Sequence, residues 1–364
     1  MKKLKVAVAG IAHVHAPGFV EMFRKYPEEA EVIGFADVPD PSGHPEESLE
    51  ARIARNMHLA DLPECFASVD EMLDQKPDIV CIGSDIADHP MLAQKCLARG
   101  IYTVIEKPLA ASGDDAAVIA AAAEKCPDHL FVNWPVAWFS TYRKGQELAR
   151  AGAVGRILRM VYRTPSTRGP YGNKPVTESA REGAWCFRHD RGGGSIIDYA
   201  GYGCFLAAWF LGAAPQSVFG IKKNFLIPFS DTEDYAELIL DYGDKIAVAE
   251  GSWSTFSSGE IPTGPVVYGE NGTIVCDRFA PEVKVYRRYK AYVPCEPPDE
   301  LYRPLPLTGR DDLAGHLIDF IRHGIPVPET MTFELNRMAQ LALSAGILSC
   351  RTGKVETVPT TIHA

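Results

Sequence analysis

The sequence predicts an α/β fold in two parts, a doubly wound parallel sheet followed by an α+β domain. Up to about residue 135, short β-branched runs alternate with segments of helical periodicity. Repeated β-α-β units of this kind form a parallel sheet with helices on both faces. Beyond a helix predicted at about residues 137–151, hairpin-like turns at Asp241–Asp244 and Asn271–Gly272 join the strands, which favours antiparallel pairing. We therefore place the two domains at residues 1–135 and 136–364.

Five strands are predicted in the N-terminal part, with helices between them. The strands are Leu4–Ala9, Glu31–Ala36, Asp78–Ile82, Tyr102–Ile105 and His129–Asn133. A helix follows the first strand, because apolar residues recur there at helical spacing, namely Phe19, Met22, Phe23 and Tyr26. Ser112, with Asp115 three residues later, predicts the capped start of an alanine-rich helix.

The C-terminal part is predicted to contain five further strands and three helices. The strands are Ile157–Arg163, Tyr235–Leu240, Lys245–Ser252, Val266–Gly269 and Thr273–Cys276. The helices lie near Ser195–Leu211, Asp311–His323 and Thr332–Cys350. The least regular segment, residues 164–194, is rich in glycine, arginine and aromatic residues, and a loop of that length is more often functional than idle.

The composition excludes several classes of protein. Lysine and arginine number 37 against 47 aspartates and glutamates in 364 residues, a net charge of −10, which argues against nucleic acid as a partner. The long apolar stretch Tyr199–Ala214, which ends before Pro215, falls short of the ~20 residues that a membrane span needs. Nine scattered cysteines without a C-x-x-C pair indicate neither disulfides nor structural zinc. We expect a cytoplasmic protein, since a reducing compartment fits this cysteine usage.

The first predicted strand runs directly into Gly10-Ile11-Ala12-His13-Val14-His15 and then a helix, the setting of a dinucleotide-binding fingerprint. Only the first glycine of G-x-G-x-x-G is present. Asp37 ends the second strand, where a carboxylate would bond the ribose hydroxyls, although a turn or cap residue is the alternative. The two residues after Asp37 offer no cation for a 2′-phosphate, so we expect NAD rather than NADP.

His13 and His15 form an H-x-H pair that could suggest a metal site. No other cluster of cysteine and histidine lies near them in the sequence, and imidazoles can pack against a dinucleotide or donate to it. We therefore expect no bound metal.

Two further strand ends carry polar residues. Ser84 and Asp85 follow the third strand, and His89 begins the next helix. The fourth strand ends in Glu106-Lys107-Pro108, which places the lysine at the edge where open parallel sheets bind ligands. The alternative is an ordinary surface lysine in a turn.

The C-terminal part contains Gly192-Gly193-Gly194 immediately before a helix on which Asp198 and Tyr202 stand four residues apart. That spacing places both side chains on one face. An aspartate in an otherwise uncharged helix is costly to bury unless it is bonded, which indicates a functional residue. The alternative is a first-turn aspartate stabilised by the helix dipole.

Taken in order, these residues resemble the glucose-fructose oxidoreductase/inositol dehydrogenase (Gfo/Idh/MocA) family across nearly the whole chain. The resemblance rests on Gly10-x-Ala12, Asp37, Ser84 through His89, Glu106-Lys107-Pro108, Asn133 and Gly192-Gly193-Gly194-x-x-x-Asp198-x-x-x-Tyr202. It implies an N-terminal Rossmann domain and a C-terminal domain with a large open, mostly antiparallel sheet used for oligomerisation, as a dimer or tetramer. It also implies NAD(P)-dependent oxidation or reduction of sugars, cyclitols or related small molecules.

The resemblance assigns roles to individual residues. Lys107 would lie near the nicotinamide and the substrate hydroxyl, Asp198 would orient the reacting group, and Tyr202 stands where relatives have His or Tyr. The implied cofactor-binding residues are Gly10, Ala12, His13, Val14, Asp37, Ser84, His89, Glu106, Lys107 and Asn133. Asp85, where many members have proline, and Trp134-Pro135 after Asn133 depart from the family pattern.

Oxidising an alcohol requires a base beside the hydroxyl oxygen. Our hypothesis is that Tyr202 exchanges the proton, with its pKa lowered by the ammonium of Lys107; His189 is the alternative base. Candidate substrate contacts are Arg163, Trp185, Arg188 and His189.

Two other functions remain open at this point. The same NAD site could be used transiently, as in NAD-dependent glycosidases, with no net formation of NADH. The fold could also serve as a non-catalytic sensor that binds a dinucleotide and a ligand.

Overall fold

The computed structural model describes residues 2–56, 64–166, 169, 182–256, 262–277, 281–287 and 297–362. Residues 167–168 and 170–181 of the predicted long loop lie outside these ranges. In the N-terminal part, five strands form a parallel sheet in the order β2-β1-β3-β4-β5. They are β1 (Leu4–Ala9), β2 (Ala30–Ala36), β3 (Ile79–Ile82), β4 (Tyr102–Glu106) and β5 (Leu130–Asn133).

The five predicted N-terminal strands are confirmed to within a residue at each end. This strand order has its switch point between β1 and β3, where doubly wound sheets bind ligands beyond the strand ends. The helices around the sheet are α1 (Ala16–Arg24), α2 (Leu49–Arg55), α3 (Val69–Asp74), α4 (His89–Leu97) and α5 (Gly113–Glu124). Ser112 caps α5 as predicted, because its hydroxyl accepts from the N–H of Asp115.

A second sheet of nine strands follows, in the order β13-β12-β11-β10-β6-β9-β8-β7-β14. Its strands are β6 (Ile157–Pro165), β7 (Ser217–Lys223), β8 (Tyr235–Asp241), β9 (Ile246–Ser252), β10 (Val266–Gly269), β11 (Gly272–Cys276), β12 (Val283–Tyr286), β13 (Glu300–Tyr302) and β14 (Glu356–Thr357). All neighbours pair antiparallel except β6 and β9. The helices are α6 (Ser140–Arg150), α7 (Gly201–Leu211), α8 (Leu313–His323) and α9 (Phe333–Thr352).

Three features of the second part differ from the sequence analysis or go beyond it. Strands β7, β12, β13 and β14 were not predicted; the last three are only two to four residues long, and β7 carries a glycine and two lysines. The predicted helix at Ser195–Leu211 begins with a π-helical turn, Ile196–Ala200, before α7. Helix α8 packs against the first sheet through Leu313, Leu317 and Ile318, so residues from both sides of the proposed boundary at 135 share one core.

Two further observations bear on the composition. The eight cysteines in the described ranges all carry free thiols. Among the described residues, no helix is both long enough and apolar enough to cross a membrane.

Candidate active site

The residues predicted to do chemistry meet in one cavity between the first sheet and the segment 184–202. Its volume is about 170 Å³. Polar and charged side chains on its wall are His13, His15, Lys107, Thr164 and Asp198. The aromatic side chains on the wall are Phe139, Tyr162, Trp185, Tyr199 and Tyr202.

Lys107 forms the centre of the cavity. It follows β4 directly and is only 2% exposed. Its ammonium donates a hydrogen bond to the carboxylate of Asp198 and lies 4.7 Å from the ring centroid of Tyr202, in cation–π geometry. The structure therefore brings Lys107, Asp198 and Tyr202 together, although the first is 91 residues away from Asp198 in the chain.

The pKa of Tyr202 differs from our expectation. Burial raises it well above its ordinary value of about 10, and the negative charges of Asp198 and Glu106 raise it further. Lys107 lies over the face of the ring, and its charge is already bonded to Asp198. The raised pKa is opposite in direction to the lowering that our hypothesis expects from Lys107, and the side chain is an un-ionised phenol at neutral pH. The part of Tyr202 in proton exchange stays a prediction.

The segment before Asp198 is held by close backbone packing. A Cβ on Gly193 would lie 2.3 Å from the carbonyl oxygen of Cys186, and Gly192 has a φ of +77°. Both positions therefore require glycine. The N–H of Asp198 donates to the carbonyl of Gly194, which fixes the carboxylate relative to this turn.

His13 and His15 lie beside Lys107 on the cavity wall. His15 Nδ1 is 2.7 Å from Glu106 Oε1, and the other oxygen of Glu106 accepts from Asn133 at 3.1 Å. His13 Nδ1 accepts from the N–H of His15 at 3.1 Å, so this nitrogen is already used in a hydrogen bond. One ligand atom from each of His13, His15 and Glu106 lies within 4.8 Å of the others; the absence of a bound metal stays a prediction.

Burial keeps two histidines of this region neutral. It lowers the pKa of His13 well below the ordinary value and that of His89 to about 4. His89 Nδ1 lies 3.2 Å from the carbonyl oxygen of Leu109. Its ring is completely buried at the start of α4, and it does not belong to the cavity wall.

The predicted fingerprint loop has the expected tight turn. Gly10 has a φ of +74°, and a Cβ there would lie 2.4 Å from Cβ of Ser84. The loop also carries contacts that the sequence did not indicate. The N–H of Ile11 donates to Asp37 at 3.0 Å, and the indole N–H of Trp185 donates to the carbonyl of Ala12 at 3.1 Å.

Asp37 has a second partner, Arg52, which we had not predicted. Arg52 Nη1 donates to Asp37 Oδ2 at 3.0 Å, and its Nε donates to Glu47. Arg52 is buried and lies on α2, 15 residues after Asp37. The cation beside Asp37 is therefore Arg52, which cannot be recognised from the residues that directly follow Asp37 in the sequence.

An outer groove of about 610 Å³ shares Val14, His15 and Pro135 with the cavity. Its lining also includes residues of the first turn of α1 and the side chains of Arg55, Asn56, Asn133 and Trp138. Within the described residues, the N–H groups of Ala12 and Val14 have no hydrogen-bond partner. On the groove wall, the N–H of Val14, the N-terminus of α1 and Arg55, which also bonds to Glu47, fit a diphosphate, so these residues could hold a dinucleotide beside the cavity.

The segment 184–202 covers the cavity and is called the covering segment below. Two of its arginines attach it to the first domain. Arg191 makes a bidentate contact with Asp85, at 2.7–3.1 Å, and reaches Asp88 at 2.6 Å. Arg188 Nη1 lies 2.9 Å from both oxygens of Asp40. Asp85, noted as a departure from the family pattern, is thus a partner of Arg191.

Three of the four predicted substrate contacts do not lie on the described cavity wall. Arg163 pairs with Glu250 of the neighbouring strand β9 at 2.7 Å, because successive residues of β6 point to opposite faces. Arg188 bonds to Asp40, and His189 is exposed. Trp185 alone lines the cavity as expected.

The sequence patterns did not indicate several residues that line the cavity. Tyr162 and Thr164 on β6 lie on the opposite face from Arg163, and Val136 and Phe139 follow β5. The alternation along β6 could have identified the first two, because only one face of a strand can point inwards.

The comparisons with known proteins agree with this geometry. Residues 4–134 match the oxidoreductase family with an NAD-binding Rossmann fold, and residues 142–275 match the GFO/IDH/MocA C-terminal domain. A curated relative, trans-1,2-dihydrobenzene-1,2-diol dehydrogenase of Xenopus laevis, is 24% identical over 226 residues. That match covers 61% of this chain and 62% of the relative's length.

Solved structures share the fold. The WlbA dehydrogenase of Bordetella pertussis, in complex with NADH and UDP-GlcNAcA, is 18% identical, with a TM-score of 0.74 over 98% of this chain and 99% of that one. The aldose-aldose oxidoreductase of Caulobacter crescentus, complexed with glycerol, is 17% identical, with a TM-score of 0.73 over 98% and 100%. On the two family matches, this chain belongs to the Gfo/Idh/MocA family of oxidoreductases.

Proposed function

We propose that the protein transfers a hydride between a nicotinamide cofactor and a hydroxyl-bearing carbon of a sugar, a cyclitol or a related small molecule. The observation that carries this proposal is the convergence of Lys107, Asp198 and Tyr202 in one cavity that adjoins the outer groove. The dehydrogenase names of the relatives support it.

The outer groove would hold the cofactor, with Val14 and His15 near the diphosphate and Asn133 near the nicotinamide end. When bound there, a nicotinamide supplies the hydride acceptor or donor. We propose NAD as the preferred form, because the carboxylate of Asp37 disfavours a 2′-phosphate. The charge of Arg52 is already bonded to Asp37 and Glu47.

Lys107 would handle the proton of the reacting hydroxyl. In the reductive direction its ammonium donates a proton to the carbonyl oxygen of the substrate, which becomes the hydroxyl. In the oxidative direction the neutral amine accepts that proton, and Asp198 stabilises the ammonium that forms. Asp198 would also fix the direction in which the amine points, since the two groups are hydrogen-bonded.

Tyr202 would act as an un-ionised group. Its raised pKa makes the phenolate a poor candidate for the base, and its ring lies beneath the ammonium of Lys107. We propose that the ring positions Lys107 and forms part of the substrate-binding wall.

The test is NADH formation, followed by its absorbance, with NAD and a panel of monosaccharides, cyclitols and cyclic diols. Steady production of NADH, or oxidation of NADH with the matching ketones, supports the proposal. Substrate turnover with bound NAD but without net NADH would instead support transient redox chemistry of the glycosidase type. Binding of NAD with no turnover of any compound would support a non-catalytic sensor.

We also propose that the protein forms a homo-oligomer through the outer face of the second sheet. Large apolar side chains on this face are exposed, among them Phe219, Ile221, Ile239 and Ile246, and the strand register places them on one side. Exposed apolar patches of this kind mark association sites. The double substitution Phe219→Asp and Ile239→Asp should reduce the particle mass measured by light scattering to that of one chain; an unchanged mass contradicts the proposal.

A further inference from the structure

Thr164 is a buried polar residue of the cavity that the mechanism above does not use. It lies near the end of β6 and is 3% exposed. Its hydroxyl is shielded from solvent and has no hydrogen-bond partner among the described residues. A buried hydroxyl without a partner costs free energy, so its presence on a cavity wall requires an explanation.

The described neighbours of Thr164 do not supply a partner. Across the parallel pair, it lies beside Gly251 of β9, which has no side chain. A Cβ on Gly251 would lie 2.3 Å from the backbone nitrogen of Ala200, so the glycine allows the turn that carries Asp198 to pack directly on the sheet. Thr164 and Asp198 thus lie on adjoining elements of the same wall.

The rest of the wall suits a ring. Phe139, Tyr162, Trp185 and Tyr199 present aromatic surface, which packs well against the C–H faces of a cyclic compound. A volume of about 170 Å³ is below the ~300–1,000 Å³ typical of sites for drug-sized ligands. The cavity therefore favours a compact substrate.

We propose that Thr164 is a second hydroxyl-binding residue, which bonds a hydroxyl of the substrate other than the one that reacts at Lys107. The substrate class is then a compact cyclic diol or polyol with one apolar face against the aromatic wall. This inference rests on the proposed function, because Lys107 marks the reacting hydroxyl.

The test combines Thr164→Val with deoxy analogues of the substrate. The probes are trans-1,2-cyclohexanediol, myo-inositol and D-glucose, compared with cyclohexanol and 2-deoxy-D-glucose and with further monodeoxy analogues of the best substrate. Thr164→Val should lower kcat/KM for the best substrate about 10-fold or more, mainly through KM. The loss should vanish for the one deoxy analogue that lacks the hydroxyl bonded to Thr164, since the interaction is already missing there.

Two control variants separate this role from a structural one. Thr330 is also 3% exposed, with an unpartnered buried hydroxyl, and lies outside the cavity wall; Thr330→Val should leave the kinetics unchanged. Thr164→Ser keeps the hydroxyl and should retain most of the activity.

The outcomes distinguish the two proposals. If Thr164→Val folds and has wild-type kcat/KM for the best substrate, or if its loss is equal for every analogue, the inference about Thr164 is overturned while the oxidoreductase proposal stands. If no compound of the panel reacts with NAD or NADP in the wild-type protein, both proposals fail together.

Discussion

The cavity and the covering segment each contain a buried cation that is paired with carboxylates. The two cations differ in how many of their hydrogen-bond donors are already used. In the cavity, the ammonium of Lys107 bonds to one carboxylate, Asp198, although an ammonium has three donors. In the covering segment, Arg191 bonds to both Asp85 and Asp88. The inner pair can still bind a ligand, whereas the outer arginine is occupied in joining the two parts of the chain. Residue type alone therefore does not identify a substrate contact.

The largest expected effect is on kcat/KM, and it comes from breaking the ion pair between Lys107 and Asp198 in the cavity. Lys107→Ala removes the proposed proton donor and should lower kcat/KM about 10²-fold or more, as measured by NADH formation with the best substrate. Lys95→Ala is the matched control, because Lys95 bonds to Asp70 on the surface away from the cavity; its activity should equal that of the wild type. Full activity in Lys107→Ala would remove the basis of the proposed mechanism.

Removing the ion pairs of Arg191 in the covering segment should lower the free energy of unfolding. Arg191→Ala leaves the buried Asp85 and the half-buried Asp88 without their cation, which should lower the free energy of unfolding by about 3 kcal/mol at pH 7. Burial and the neighbouring Asp88 raise the pKa of Asp85 even with Arg191 in place. Removing the cation raises it further, so the carboxyl is protonated at pH 5 and its unpaired charge is lost. The loss should therefore shrink at pH 5, as measured by urea denaturation at both values. A loss that is equal at both pH values, or absent, contradicts this role of Arg191.

His89 extends the comparison, because it is a buried imidazole that forms no ion pair within the described residues. The pKa of His89 is about 4 in the folded protein, against ~6.5 in the unfolded chain. Below pH 6.5 the unfolded state binds a proton that the folded state does not, so stability falls as the pH falls towards 4. Between pH 6.5 and 5 this lowers the free energy of unfolding by about 1.6 kcal/mol. His89→Gln should remove that part of the pH dependence in denaturant titrations; an unchanged slope would contradict it.

The smallest effect is expected for Arg163, which the sequence suggested as a substrate contact. Its guanidinium bonds to Glu250 on the face of β6 opposite the cavity wall. Arg163→Ala should therefore change kcat/KM by less than about twofold, as is usual for partly exposed pairs. A large rise in KM would show that the side chain reaches the substrate.

Much of the site was predictable because its signals are local. Strand ends followed by Gly10 and Lys107, and the four-residue spacing of Asp198 and Tyr202, can be read from short stretches of sequence. A parallel sheet then brings the strand ends to one edge. The order of elements and the convergence of Lys107 with Asp198 followed from these patterns together with the family resemblance.

By itself, the sequence determined the five strands of the first sheet, five of the nine strands of the second sheet and the edge that carries the polar residues, since periodicity and strand ends act over a few neighbouring residues. Only the tertiary structure decided which charges are already bonded, as for Arg52 with Asp37 and Arg163 with Glu250. It also decided the direction of the pKa shift of Tyr202 and left Thr164, on the cavity wall, without a partner among the described side chains. Burial and bonding depend on atoms that are distant in the chain, and no local pattern records them.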